Sequence, residues 1–119
     1  MQLRELDEQV TYAQQLQEED GAPVVLINVF NVASEDAERF LDAWAEDASF
    51  MKRQPGFVSA QLHRGTAGSS TFVNVAEWES ASALGEAFRS PEFQAGIARY
   101  PDSAVASPHV FERIGAPEI

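Results

Sequence analysis

The chain has 119 residues, 45% of them hydrophobic and 10% aromatic, with a formal net charge of −11 and no cysteine. That length supports one domain with a substantial core rather than two. The acidic balance speaks against nucleic acid and anionic membranes as partners, since both need basic patches, and the lack of cysteine excludes disulfides, thiolate nucleophiles and thiolate metal sites.

The opening MQLRELDEQV is polar and acidic, unlike a signal peptide, and no apolar run approaches the ~20 residues of a membrane helix. A cytoplasmic protein is expected. Leu3, Leu6, Val10 and Ala13 recur at helical spacing, so residues 1–21 are read as an amphipathic N-terminal helix, or a partly frayed extension, ended by GAP at 21–23. The main domain is expected over 22–119.

VVLINVFNV at 24–32 is a strand apolar on both faces, the pattern of an element covered on both sides. Ser34 is read as the N-cap of a helix with Glu35 and Asp36 in its first turn, burying Ala37, Phe40, Leu41, Trp44, Ala48 and Met51. Pro55-Gly56 stops it. FVSAQLH at 57–63 alternates Val58, Ala60 and Leu62 against Phe57, Ser59, Gln61 and His63, and RGTAGSS at 64–70 has hairpin-loop composition. FVNVAEW at 72–78 is the next strand. Ser80 begins a second helix, which restarts at Ser90-Pro91 with Phe93, Ile97 and Tyr100 inward and ends at Pro101. A last strand is expected around 108–114 with Val110, Phe111 and Ile114.

The order β-α-β-β-α-β is the ferredoxin-like α+β arrangement. Two helices cover one face of such a sheet, and the apolar second face predicts a two-fold homodimer, an α/β barrel closed by a second copy.

Parity places Phe72, Asn74, Ala76 and Trp78 on one face, and Asn28 shares a face with Leu26 and Phe30. The two parent strands are central neighbours in this topology, so both amides and the indole converge on an apolar pocket, the general form of a ligand site. The residues alone leave a second reading open, in which Asn28 and Asn74 are structural amides and Trp78 and Trp44 are packing. His63 and His109 lack metal-ligand spacing. No phosphate loop or nucleophile elbow is present. The acidic pairs Glu35-Asp36 and Glu46-Asp47 read as solvated helix faces.

Together, the strand bearing Asn28, PGFVSAQLH at 55–63, FVNVAEWES at 72–80 and FRSPEF at 88–93 resemble the antibiotic biosynthesis monooxygenase family. They are closest to its cofactor-independent anthrone- and quinone-forming oxygenases of aromatic polyketide pathways. The resemblance spans roughly residues 22–114. It implies catalytic roles for Asn28, Asn74 and Trp78, and a pocket walled by Leu26, Phe30, Phe40, Trp44, Phe57, Phe72 and Leu84. Some members carry a tyrosine where this chain has Leu84. The implied activity is oxidation of a phenolic polycyclic aromatic by O2 with no cofactor and no metal. Haem-degrading relatives share the first asparagine, but their tryptophan and histidine fall on Ala87 and Ile97. A haem binder, a non-catalytic binder of a hydrophobic ligand and a polyketide cyclase are the alternatives.

Overall fold

The computed structural model describes residues 1–19 and 21–115. Its elements are β1 (Gln2–Leu3), α1 (Tyr12–Gln15), β2 (Val24–Asn31), α2 (Ala37–Met51), β3 (Phe57–Arg64), β4 (Thr71–Trp78), α3 (Ala81–Arg89), α4 (Pro91–Gly96) and β5 (Val105–Phe111). The strands form one sheet in the order β1-β5-β2-β4-β3. The β1–β5 pair is parallel and all other pairs are antiparallel. The ferredoxin-like α+β core is thus present, with an added edge strand.

Strands β2 and β4 are paired along their whole length, from Val24 opposite Trp78 to Asn31 opposite Thr71. At that last rung the Thr71 hydroxyl donates to Asn31 Oδ1 at 2.9 Å, which accounts for Asn31 as a strand-end residue. Leu26, Phe30, Phe72, Ala76 and Trp78 are buried under the helices, whereas Val25, Ile27, Val29, Val73 and Val75 on the other face are only half-buried.

Several local expectations are corrected. The N-terminal stretch is not a long helix. Asp7 Oδ1 accepts from the N–H groups of Gln9 and Val10, a local turn that competes with helix formation, and only one turn forms at Tyr12–Gln15. A reciprocal cap between Thr11 and Gln14 begins that turn. The apolar stripe assigned to it is not buried: Leu3, Leu6 and Val10 are 51%, 50% and 43% exposed, while Tyr12 and Leu16 are buried.

Ser34 is not an N-cap. It opens a single 3-10 turn whose cap position is Ala33, and α2 starts after Asp36 with no side-chain cap. The caps at Ser80 and Ser90 do form, each hydroxyl accepting from the N–H three residues on, with Pro91 at the first helical position.

A bulge between Phe57 and Ser59 reverses the parity at the start of β3. Phe57 therefore lies opposite Trp78, in line with Ala60 and Leu62, and Val58 is 52% exposed.

The final strand lies three residues earlier than expected, and Ile114 is outside it and 84% exposed. Pro108 within this strand obscured it, because proline removes a ladder donor. Here nothing is lost. The carbonyls of Ala104 and Ala106 accept from Gln2 and Arg4, so this parity faces β1, and β1 has ended by Pro108. Beyond Pro108 the Gln15 side chain acts as a surrogate strand: it donates to Val110 O at 2.9 Å and accepts from Val110 N at 2.8 Å.

Candidate active site

Two apolar clusters fill the space between sheet and helices. One centres on Phe30, Phe40, Phe72 and Tyr100, the other on Tyr12, Leu16, Leu26, Trp78 and Leu84. Asn28 lies between Leu26 and Phe30 on the same strand face, and thus at the junction of the two. A cavity of about 250 Å³ opens there. This is just below the usual range of small-molecule sites, roughly 300–1,000 Å³, and suits a compact ligand.

The sheet supplies one wall. Asn28 and Asn74 sit directly opposite one another across the β2–β4 ladder, where cross-strand side chains on one face are about 5 Å apart at Cβ. The Oδ1 atoms of both are sealed from solvent and have no hydrogen-bond partner. A buried polar atom left unsatisfied costs about 1–3 kcal/mol, so the pair is a standing penalty that a ligand able to complete the bonds would relieve. Trp78 also lines the cavity, its ring held edge-on against Phe57 with centroids 5.4 Å apart.

Of the residues expected to wall the pocket, Leu26, Phe30, Trp44, Phe57 and Leu84 line the cavity. Phe40 and Phe72 do not. They pack on each other at 4.8 Å and are 0% and 1% exposed, forming the core behind the wall. Their helical and strand spacings marked them as inward-facing, but spacing does not tell a cavity wall from the packing one layer back.

The helices supply the other wall, and there the sequence reading missed a polar group. On α2 the residues facing the cavity are Trp44, Asp47, Ala48 and Met51, one helical stripe. Asp47 is 7% exposed and is therefore no part of a solvated face, whereas its neighbour Glu46 points outward and pairs with Arg99 at 3.2 Å. The signal was present in the three- and four-residue spacing from Phe40 through Trp44 and Asp47 to Met51; pairing Asp47 with Glu46 as an acidic dipeptide hid it. Burial raises the Asp47 pKa above the ordinary carboxylate range, and the Tyr100 hydroxyl and Arg99 charge offset this only in part. Burial, and then the Asp47 charge, raise that of Tyr100.

The N-terminal segment closes one end. Met1, Gln2, Leu3 and Tyr12 all line the cavity. Tyr12 packs edge-on to Phe88 with centroids 5.2 Å apart, and burial raises its phenol pKa. Leu84, the position at which relatives carry a tyrosine, belongs to the same apolar cluster as Tyr12. Among the described residues, no group of three or more histidine, aspartate or glutamate side chains is arranged to hold a metal ion.

Comparison with known proteins matches this architecture. The family model described as antibiotic biosynthesis monooxygenase covers residues 23–99. Deoxynogalonate monooxygenase of Streptomyces nogalater is 36% identical over 74 residues, a stretch that is 62% of this chain and 62% of that protein, under two thirds of its length. SnoaB, a cofactor-independent oxygenase from Streptomyces nogalater, aligns with a TM-score of 0.74 at 26% identity, over 81% of this chain and 97% of that one. A conserved protein from Methanosarcina mazei Go1 aligns with a TM-score of 0.69 at 12% identity, over 84% of this chain and 97% of that one, and shares the fold alone. By its fold and by the span of the family match, the chain belongs to the antibiotic biosynthesis monooxygenase family.

Proposed function

We propose that this protein is a cofactor-independent oxygenase that oxidises a compact phenolic polycycle, an anthrone or hydroquinone, to a quinone with O2. The observation that carries the reading is the in-register pair Asn28 and Asn74, two amides with unmet hydrogen bonds on the wall of an otherwise apolar cavity. The similarity to a cofactor-independent oxygenase and to deoxynogalonate monooxygenase supports it.

Triplet oxygen reacts slowly with closed-shell organics until one electron is supplied, a task usually given to a flavin or metal. A deprotonated anthrone or hydroquinone supplies that electron itself, because its anion is delocalised and readily oxidised. The chain's part is to favour the anion, hold it in a dry site and let oxygen reach the reacting carbon. The open Oδ1 atoms of Asn28 and Asn74 accept from the hydroxyls of the phenolic substrate, while their Nδ2–H groups and the indole N–H of Trp78 are neutral donors for the developing oxyanion, one such donor being worth ~2.7–4 kcal/mol in acyl-transfer enzymes. Neutral donors also avoid burying an uncompensated charge. Phe30 and Phe57 give the planar ring system its apolar contact.

The working unit in this reading is a two-fold dimer. Val25, Ile27, Val29, Val73 and Val75 lie together on the helix-free face of the sheet and stay half-buried in the single chain. A second copy of the same face is the simplest cover. Sedimentation at micromolar concentration is expected to give a dimer; a monomer would remove this part.

The test is oxygen uptake by purified protein, freed of metal by chelation, with an anthrone in air. Uptake with a quinone product supports the reading. A requirement for added flavin, iron or haem overturns it, and product formed equally without oxygen points to a cyclase instead.

A further inference from the structure

We infer that Asp47 is the proton acceptor of the cavity, a catalytic carboxyl on the helix wall that takes a proton from the substrate and returns it to the peroxide formed there. The inference rests on the proposed oxidation of a phenolic substrate, and it fills that reaction's missing general base.

Three observations carry it. Asp47 lines the same cavity as Asn28 and Asn74, on the α2 stripe of Trp44 and Met51. Its Oδ2 is sealed from solvent and has no hydrogen-bond partner. A carboxyl kept for structure normally has its oxygens satisfied by N–H groups, and this one is left with an open acceptor. Thirdly, among the described residues Asp47 alone lines both this cavity and a separate groove on the outer surface between α2 and α4, where Glu46, Arg53, Glu92 and Arg99 gather. It therefore connects a dry interior with a wet, charged exterior. Room for the carboxyl depends on Gly96: a Cβ there would come within 2.8 Å of Asp47 Oδ1.

The groups acting on Asp47 are the Tyr100 hydroxyl and Arg99, which favour its charged form, and Glu46, which opposes it; burial dominates and keeps its proton affinity above that of a free carboxyl. That shift moves it toward neutrality, where a general base works best.

The step balances as follows. A substrate C–H or O–H bond breaks, its electron pair stays on the substrate as a delocalised anion, and a new O–H bond forms at Asp47 Oδ2. The anion gives one electron to O2, and the resulting radical and superoxide combine at the reacting carbon as a peroxide anion, which takes the proton back from Asp47. Loss of water from this hydroperoxide leaves the carbonyl: a methylene is oxidised by four electrons and one O2 is reduced, one atom entering the product and one leaving as water.

The proton step can be measured without the oxidation. Anthrone is mixed with the protein anaerobically in D2O, and loss of its methylene proton signal is followed by NMR. Wild type is expected to accelerate exchange, and Asp47→Asn to lose about 10²-fold or more of that acceleration, the usual range for acid–base catalysis being roughly 10²–10⁴. Asp47→Glu, which keeps an acid on the wall, is expected to exchange at least tenfold faster than Asp47→Asn. Circular dichroism and gel filtration identical to wild type establish that each variant is folded. No exchange by wild type, exchange by Asp47→Asn within threefold of wild type, or an Asp47→Glu rate no better than Asp47→Asn overturns the assignment. Exchange that follows this pattern while wild type shows no oxygen uptake would leave Asp47 in place and overturn the oxygenase reading instead.

Discussion

The two walls of the cavity are built by different rules. The sheet wall presents neutral amides whose separation is set by strand register, Asn28 opposite Asn74. The helix wall presents an ionisable carboxyl, Asp47, beside a phenol, Tyr100, and both have raised pKa values. A rigid ladder suits groups that must hold a developing charge in one place without themselves titrating. A helix surface next to a solvent groove suits a group that must gain and lose a proton. The difference suggests a division of labour, with anion stabilisation on the strands and proton transfer on the helices.

The sharpest way to break the comparison is to remove one wall's chemistry and watch which property changes. Asn74→Ala is expected to lower kcat for anthrone oxidation by tenfold or more, toward the 10²–10³ typical of a lost oxyanion donor, with the shape of the pH–rate profile unchanged. Oxygen-electrode rates across pH check this. An unaltered kcat would return Asn74 to a structural role. Trp78→Phe is expected to act in the same direction by a similar factor, with the fold intact by circular dichroism.

Next in size is the end of the cavity where the walls meet the N-terminal segment. Tyr12 is 3% exposed against Phe88 and Leu84. Large-to-small substitution of a buried aromatic costs ~3–5 kcal/mol, and at this chain length each kcal/mol lowers Tm by roughly 3–6 °C. Tyr12→Ala is expected to lower Tm in calorimetry and to raise KM more than it lowers kcat, because the cavity loses a cover and keeps both polar walls. A change in kcat alone would mean that the phenol takes part in the chemistry.

Smaller still is the stability signature of the helix wall. The folded-state pKa of Asp47 is raised, so the native state binds more protons than the unfolded chain between the ordinary carboxylate pKa, about 3.9, and the raised one. Stability contributed at this site therefore falls as pH rises through that window. Asp47→Asn is expected to raise Tm at neutral pH, with the gain vanishing below about pH 4. A loss of stability at neutral pH would mean that the carboxylate is structurally paired. Least is expected of the caps: Ser80→Ala and Ser90→Ala should each cost ~1 kcal/mol in denaturant unfolding and leave kcat alone.

The two walls also differ in how far the sequence disclosed them. Strand parity needs only a period of two, so the shared face of Phe72, Asn74, Ala76 and Trp78 was legible, and the β-α-β-β-α-β order made their strand the neighbour of Asn28's. Parity failed at the start of β3, because a bulge leaves no compositional mark before the strand is paired. On the helix side, the carboxyl at Asp47 was masked by an adjacent glutamate that does face water. The N-terminal segment was misread because Leu3, Leu6 and Val10 mimic a helical stripe, while the residues that are buried, Tyr12 and Leu16, form an i, i+4 pair confined to one turn. Pro108 hid the start of β5, since no sequence rule supplies the fact that β1 stops short of it. The covalent chemistry rested on family resemblance, because two asparagines and a tryptophan define a polar wall and not a reaction.

The most direct test of the account is oxygen consumption by chelator-treated, colourless protein given an anthrone in air, run beside Asn74→Ala. One O2 consumed per quinone formed, with at least a tenfold slower variant, is the result the account predicts. No turnover until flavin, iron or haem is added, or equal turnover by the variant, would contradict it.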